Sequence, residues 1–304
     1  MQDKTKCRRK FNWSKLQLDK LNKIKEIIIE LDEYKPLTLR QIYYQMVGKG
    51  YIDNNVSQYT MLSNLLKYAR LKGFIEWDDL EDRGRIFHNL TGYKDKDIFI
   101  NTELESFLTG YRRDLMQTQN KYIEVWIEKD ALSSLFKNVC VYYSIPVIVC
   151  RGYSSITFLN NFKNRLKFYT DKFCLMLYFG DFDPSGMNMV DSMDETLKDE
   201  LKVSNLEIKR VALSRKDIDD YKLPNNPSAL KKKDTRANKH IGLYGNVAVE
   251  LDALSPDVLT GKIKTAIENE LDINNFNNEV ALWNNEFDKL NKLKEQVTTI
   301  LNEF

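Results

Sequence analysis

Seven consecutive residues, Phe173-Cys174-Leu175-Met176-Leu177-Tyr178-Phe179, contain no charged side chain. A strand of that composition meets water on neither face, so it belongs inside a parallel sheet covered by helices on both sides. Ile145–Cys150 has the same character, Tyr122–Ile127 shares it apart from Glu124, and a weaker run spans Leu206–Leu213. Helical spacing of apolar residues covers Ala131–Val139, Gly152 to about Phe168, and Met187–Leu201. The resulting β-α-β-α-β-α-β order predicts an α/β domain with a mostly parallel sheet.

Ligands of such sheets sit beyond the carboxyl ends of the strands. There the chain has Glu128 after the first run and Asp181 and Asp183 after the third. In an extended segment, residues two apart point the same way, and Pro184 and Gly186 tighten the turn behind the aspartates. Three converging carboxylates suit Mg²⁺, a hard cation usually held by one or two carboxylates plus water and phosphate oxygens. Either half alone has an ordinary explanation: Asp-x-Asp before Pro-x-Gly occurs in many strand-to-helix turns, and Glu128 could cap the helix that follows. Both together, at the ends of apolar strands joined through a strand-helix-strand unit, favour the ligand reading.

Other chemistries lack material. Only two histidines are present, His88 and His240, and Cys7, Cys140, Cys150 and Cys174 form no C-x-x-C pair. That excludes a His-Glu-x-x-His zinc helix, and the cysteines suit buried thiols in a reducing compartment better than a disulfide frame or a zinc site; nothing points to a thiol-histidine nucleophile. Net charge is only +2, from 46 basic and 44 acidic residues, so a nucleic-acid partner would have to be met by local clusters.

The N-terminal region, 1–92, has a different pattern. Apolar residues at helical spacing run from Trp13 to Leu31; Thr38 and Gln41 form a capping-box pattern for a helix ending near Gly48; a third helix runs from Val56 to Lys72, before Gly73. Phe74–Trp77 and Arg85–His88 then read as two short strands, giving a winged-helix arrangement with α+β character. Lys67, Arg70, Lys72, Arg83 and Arg85 would form its phosphate-contacting face, the alternative being a helical docking module with a solvated basic side.

Trp126-Ile127-Glu128-Lys129 and Gly180-Asp181-Phe182-Asp183-Pro184-Ser185-Gly186 resemble the Glu and Asp-x-Asp motifs of the Toprim domain, a Rossmann-like domain of topoisomerases, primases and nucleases. Arg151-Gly152-Tyr153 and Thr157-Phe158-Leu159 between them are similar to the same segment of the topoisomerase VI A subunit and its meiotic double-strand-break relatives. Arg40-Gln41-Ile42-Tyr43-Tyr44 resembles the Arg-x-x-Tyr-Tyr element of that family's winged-helix domain. The resemblance spans about Leu37 to Leu213. It implies a double-stranded DNA substrate, Mg²⁺ bound by Glu128, Asp181 and Asp183, Glu128 as ligand or general acid/base, and Tyr44 as nucleophile. Arg40, Lys129 and Arg151 would contact DNA. Tyr44 and the carboxylates would be brought together across a homodimer, and ATP-gated strand passage would need a separate ATPase subunit. Two rivals stand beside this reading: a hydrolytic nuclease such as that of Wadjet-type plasmid defence, and a DNA-binding protein retaining the fold without catalysis.

The boundaries expected are 1–92 for the winged helix, 93–120 for a linker, 121–255 for the Toprim domain and 256–304 for a helical tail, with helices over 257–271 and 278–301. Lys231, Lys232 and Lys233 lie in a loop that is either a DNA contact or merely solvated. Val247–Asp252 reads as a strand with Glu250 and Asp252 on one face, as further ligands or an edge-strand polar face. No apolar run approaches the length of a membrane span and the N-terminus has no apolar signal core, which predicts a cytoplasmic protein without a membrane partner.

Overall fold

Each of the four apolar runs becomes a strand of one sheet in the computed structural model, which describes residues 12–81, 91–227, 230 and 235–301. The strands are β1 (Lys121–Ile127), β2 (Val147–Val149), β3 (Phe173–Phe179) and β4 (Leu206–Ala212). They are all parallel, in the order β2-β1-β3-β4. The two most buried strands, β1 and β3, are the central ones, with neighbours on both edges.

Alternation along β1 sends its side chains into two layers. Ile123, Val125 and Ile127 join a core with Leu135, Phe136 and Val139 of α5 (Ser133–Cys140) and Leu259 and Ile263 of α10 (Pro256–Glu268). Tyr122 and Trp126 point the other way, against Leu159 and Phe162 of α6 (Ile156–Leu166) and Met193 of α7 (Pro184–Glu195). Between Tyr122 and Trp126 on that face, Glu124 is fully buried. Its oxygens accept from the Tyr122 hydroxyl at 2.7 Å, Trp126 Nε1 at 2.8 Å, and Arg165 Nε and Nη2 at 2.8 and 2.9 Å. Four donors satisfy this charge, which makes Glu124 a structural carboxylate.

Three helices precede the sheet: α1 (Lys15–Glu30), α2 (Leu39–Gly48) and α3 (Val56–Leu71). The capping box expected at Thr38 and Gln41 is present, and Asn55 caps α3 through the Gln58 amide. Their apolar faces, including Ile24, Ile28, Ile42, Met46, Leu62 and Leu66, are continuous with the core on one side of the sheet.

The segment 74–77 is not a strand. Gly73 adopts φ +66°, and the Phe74 amide closes α3 by donating to Ala69 O at 2.8 Å. Residues Trp77–Asp79 form a 3₁₀ turn, and only Leu80 makes an isolated parallel bridge to Leu37. Phe74 and Ile75 are apolar because they pack on the helices, Phe74 edge-to-face against Trp13 with ring centroids 4.7 Å apart. The expected partner strand, Arg85–His88, lies outside the described residues, so the described part here is three helices without a hairpin.

Other segments add to or depart from these expectations. The stretch 93–120 contains α4 (Lys96–Ser106), which buries no residue and so lacks the one-sided apolar pattern from which a helix is read. The segment 247–252 is not a strand either. Val249 exchanges two backbone hydrogen bonds with Phe182, and Leu251–Ala253 turns away as a 3₁₀ helix because the Leu251 amide donates to the Asp181 side chain at 2.8 Å. The chain closes with α8 (Arg215–Asp220), α9 (Thr235–Tyr244), α10 and α11 (Ile273–Leu301), the last beginning before the expected 278 because Asp272 Oδ1 accepts from the Asn274 and Asn275 amides. Among the described residues no helix is long and apolar enough to cross a membrane.

Candidate functional site

Glu128 follows the last residue of β1, and the parallel ladder holds it on both sides. Its amide donates to Phe179 O at 3.0 Å, and its carbonyl accepts from the Arg151 amide at 3.0 Å. Since Ile127 pairs with Phe179, Glu128 stands beside Gly180, and its Oε2 accepts from the Asp181 amide at 2.9 Å. The two halves of the sequence pattern, 53 residues apart, thus meet through a side chain and a backbone amide.

Two glycines make this approach possible. A Cβ on Gly180 would lie 2.8 Å from Glu128 Oε2 and 2.6 Å from the Tyr178 ring; one on Gly186 would lie 2.4 Å from Asp181 O and 3.3 Å from Glu128 Oε2. Neither glycine is at positive φ, so the requirement is space for the Glu128 carboxylate and the Asp181 backbone.

Asp183 is the N-cap of α7; its Oδ1 accepts from the Gly186 amide at 2.6 Å. Asp181 is buried, with Oδ1 accepting from the Leu251 amide at 2.8 Å and Oδ2 from Lys129 Nζ at 2.9 Å. Lys129 is the hub of an ion network: Nζ also donates to Glu250 Oε2 at 2.6 Å and Asp252 Oδ2 at 3.0 Å. Arg40, 212 residues from Asp252, donates from Nε to Asp252 Oδ2 at 3.0 Å and pairs with Glu250 as well. Glu250 and Asp252 do share a face, but their partners are these two cations.

Arg210 on β4 was not foreseen. Its guanidinium donates to Gly180 O and Gly186 O at 3.1 and 3.0 Å, and to Asp181 O, pinning the backbone of the aspartate turn. Arg210 lies on the edge strand β4 beside Glu207 and Lys209, so no sequence signal set it apart from its charged neighbours.

Five carboxylates (Glu128, Asp181, Asp183, Glu250, Asp252) thus share one region with three cations (Lys129, Arg40, Arg210), an excess of two negative charges. The excess falls on Glu128. Burial, then the charges of Asp181 and Asp183, push its pKa up to about 7 from 4.5. Burial raises Asp181 too, against the pull of Lys129 and the Leu251 amide. At Asp252 burial is outweighed by Lys129 and Arg40, which hold the carboxyl below its usual range. The charge and the all-oxygen donor set fit a divalent cation, and the Tyr178 hydroxyl and Asp252 Oδ1 are buried polar atoms without a partner among the described residues. The side chains as they stand do not converge: among the described residues no three candidate ligands surround one point. An ion here would meet Glu128 Oε1 and Asp183 Oδ2, which have no hydrogen-bond partner among the described residues, and would have to share Asp181 Oδ2 with Lys129 or displace it.

Glu128 has a stability signature. Between pH 4.5 and 7 the folded chain keeps a proton on Glu128 that the unfolded chain has released, so this group's contribution to stability falls as pH rises through that window. The full difference is at most about 3 kcal/mol. We expect Glu128→Gln to melt a few degrees above the wild type at pH 8 and within about a degree of it at pH 4.5. A gap independent of pH in thermal melts would mean that Glu128 carries no such strain.

Tyr44 lies in the same chain's network. Its ring faces the Arg40 guanidinium at 5.7 Å and it is only 4% exposed. Burial raises its phenol pKa, with Arg40 and Lys129 pulling against that rise. Within the chain it thus sits beside Arg40, whose guanidinium pairs with Glu250 and Asp252. The remaining basic candidates are dispersed. Lys67 is exposed beside Tyr68; Arg70 sits 4.8 Å over the Trp77 ring; Lys72 lies 5.2 Å from the Trp13 ring centroid. Arg151, exposed and at φ +51°, pairs with Asp130 at 2.8 Å. Arg83, Arg85 and Lys231, Lys232 and Lys233 lie outside the described residues. No protein-family model and no curated protein matches the chain.

Proposed function

We propose that this chain is a Mg²⁺-dependent DNA strand-cleaving enzyme of Toprim type, with a winged-helix-like N-terminal part, and that water attacks the phosphodiester. The observation that carries the reading is the meeting of Glu128 with the Asp181/Asp183 turn at the carboxyl ends of adjacent parallel strands, in a region with two uncompensated negative charges. Mg²⁺ held by Glu128, Asp181 and Asp183 would neutralise the phosphoryl oxygens and acidify a bound water.

The residues around it have separable tasks. A phosphodiester brings its own negative charge, so the acidic cluster alone would repel DNA; Lys129 and Arg210 keep cations beside the aspartates. Glu128 Oε2 is committed to the Asp181 amide, whereas Oε1 has no hydrogen-bond partner among the described residues. That oxygen would be the one placed to take a proton from water and return it to the leaving oxygen.

The burial of Tyr44 favours hydrolysis over transesterification. A tyrosine that is 4% exposed, with its pKa raised by burial, is a weak and shielded nucleophile. Incubation with supercoiled plasmid and Mg²⁺ tests the choice. Tyr44→Phe is expected to nick DNA within about threefold of the wild type, with no protein left covalently attached after denaturation. A DNA adduct formed by the wild type and lost in Tyr44→Phe would make the enzyme a transesterase instead. The hydrolytic reading requires no ATPase partner and no shared active site between subunits.

A further inference from the structure

A cavity of about 710 Å³ opens at the other end of the sheet. Its walls include Lys121, Tyr122 and Ile123 at the start of β1, the 112–116 segment, and Ile145 to Val147 leading into β2. Glu128 follows the far end of β1, and six residues of strand separate Lys121 from Ile127, roughly 20 Å. The cavity is thus distinct from the carboxylate cluster.

Its lining divides by chemistry. Met116, Ile123, Ile145 and Val147 form an apolar floor, beside Tyr122 and Tyr169, whose rings stack at 3.9 Å and 15°. Arg112, Arg113, Lys121, Lys137 and Lys172 surround it, against the single acid Asp114. Two of these cations are neutralised from outside: Arg113 by Glu279 and Glu286, and Lys121 by Glu270. Lys172 donates only to the carbonyls of Met116 and Gln117, and Arg112 and Lys137 have no ion pair among the described residues. Three cations without a carboxylate partner therefore line one cavity, which gives it a positive potential that attracts anions.

We propose that this cavity binds a nucleoside phosphate, with the phosphates at Arg112, Lys137 and Lys172 and the base against the apolar floor. The volume is within the range of small-ligand sites and exceeds what a lone phosphate needs. An arginine and two lysines match a phosphate of two or more charges, and aliphatic walls accept the apolar faces of a planar base. An inorganic anion would leave the apolar floor unused, and a polynucleotide would be read by a continuous track instead of a single concave site.

Titration calorimetry of the full chain with adenosine and guanosine diphosphate, inorganic pyrophosphate and a twelve-nucleotide single strand tests this. One or both nucleotides should bind, at least about tenfold more tightly than pyrophosphate. Arg112→Glu with Lys137→Glu, both exposed positions whose change leaves the core intact, should abolish that binding, and Lys137→Arg should retain it. Absence of nucleotide binding at millimolar concentration, or binding unaffected by the charge reversals, would overturn the proposal. Equal affinity for pyrophosphate would remove the base from it, and binding of the single strand alone would make the cavity part of a DNA path.

Discussion

Replacing Asp181 and Asp183 together by asparagine is expected to reduce Mg²⁺-dependent nicking of supercoiled plasmid by at least about 10³-fold, that is, roughly 4 kcal/mol or more of lost transition-state stabilisation. Asparagine makes this a test of charge more than of fold. Its side-chain oxygen can still cap α7 through the Gly186 amide and still accept from the Leu251 amide, the two backbone contacts the aspartates make. The variant removes the two neighbouring charges that help raise the Glu128 pKa, so that carboxyl should titrate nearer its ordinary 4.5. Far-ultraviolet circular dichroism close to the wild type, together with lost nicking, is the expected pair of results. Nicking retained within tenfold would show that the aspartates serve only as a cap and a loop tether.

The second large effect concerns stability. Lys129→Met should destabilise the chain by about 3–5 kcal/mol in urea unfolding, because it leaves buried carboxylates without their shared cation. Lys129 Nζ serves Asp181, Glu250 and Asp252 at once, and the Asp252 side chain is wholly buried with Oδ1 already unpartnered. Arg40 remains on Asp252 and Glu250 in that variant, so the damage centres on Asp181. Adding Asp181→Asn to Lys129→Met should recover most of the loss. A loss below about 1 kcal/mol would place Lys129 with ordinary surface ion pairs.

Much of the architecture was legible because the signal was local. Burial on both faces is written in the uncharged run from Phe173 to Phe179, and the helix starts in Thr38 with Gln41, so the sheet and α2 follow from residues within one element. Glu128 and the Asp181/Asp183 turn were legible for the same reason, being the first acids after apolar strands. What was not legible is set by distant partners. Arg40 reads as a DNA contact on its own helix, yet its guanidinium is occupied by Asp252, 212 residues on. Glu250 and Asp252 show period-two spacing without a strand, because Leu251 is turned by the Asp181 side chain. Phe74 and Ile75 carry the apolarity of a strand while the Phe74 amide closes α3. Arg210, which fixes the aspartate turn through carbonyls, has no motif, since backbone acceptors leave no mark in sequence.

The site and the network also explain why α2 is packed against the turn at Leu251–Ala253. Arg40 and Lys129 together hold Asp252, so the N-terminal helices and the sheet share one set of buried charges. Salt should weaken such a contact little, because its members are mostly shielded from solvent.

The central claim is that Glu128, Asp181 and Asp183 bind one divalent cation in common. Electron paramagnetic resonance of Mn²⁺ titrated into the chain measures this directly, since bound Mn²⁺ loses the free-ion signal. The expected result is saturable binding that Mg²⁺ displaces and that is lost both in Glu128→Gln and in Asp181→Asn with Asp183→Asn. Undiminished free Mn²⁺ signal at millimolar concentration, or binding that survives those substitutions, would contradict it.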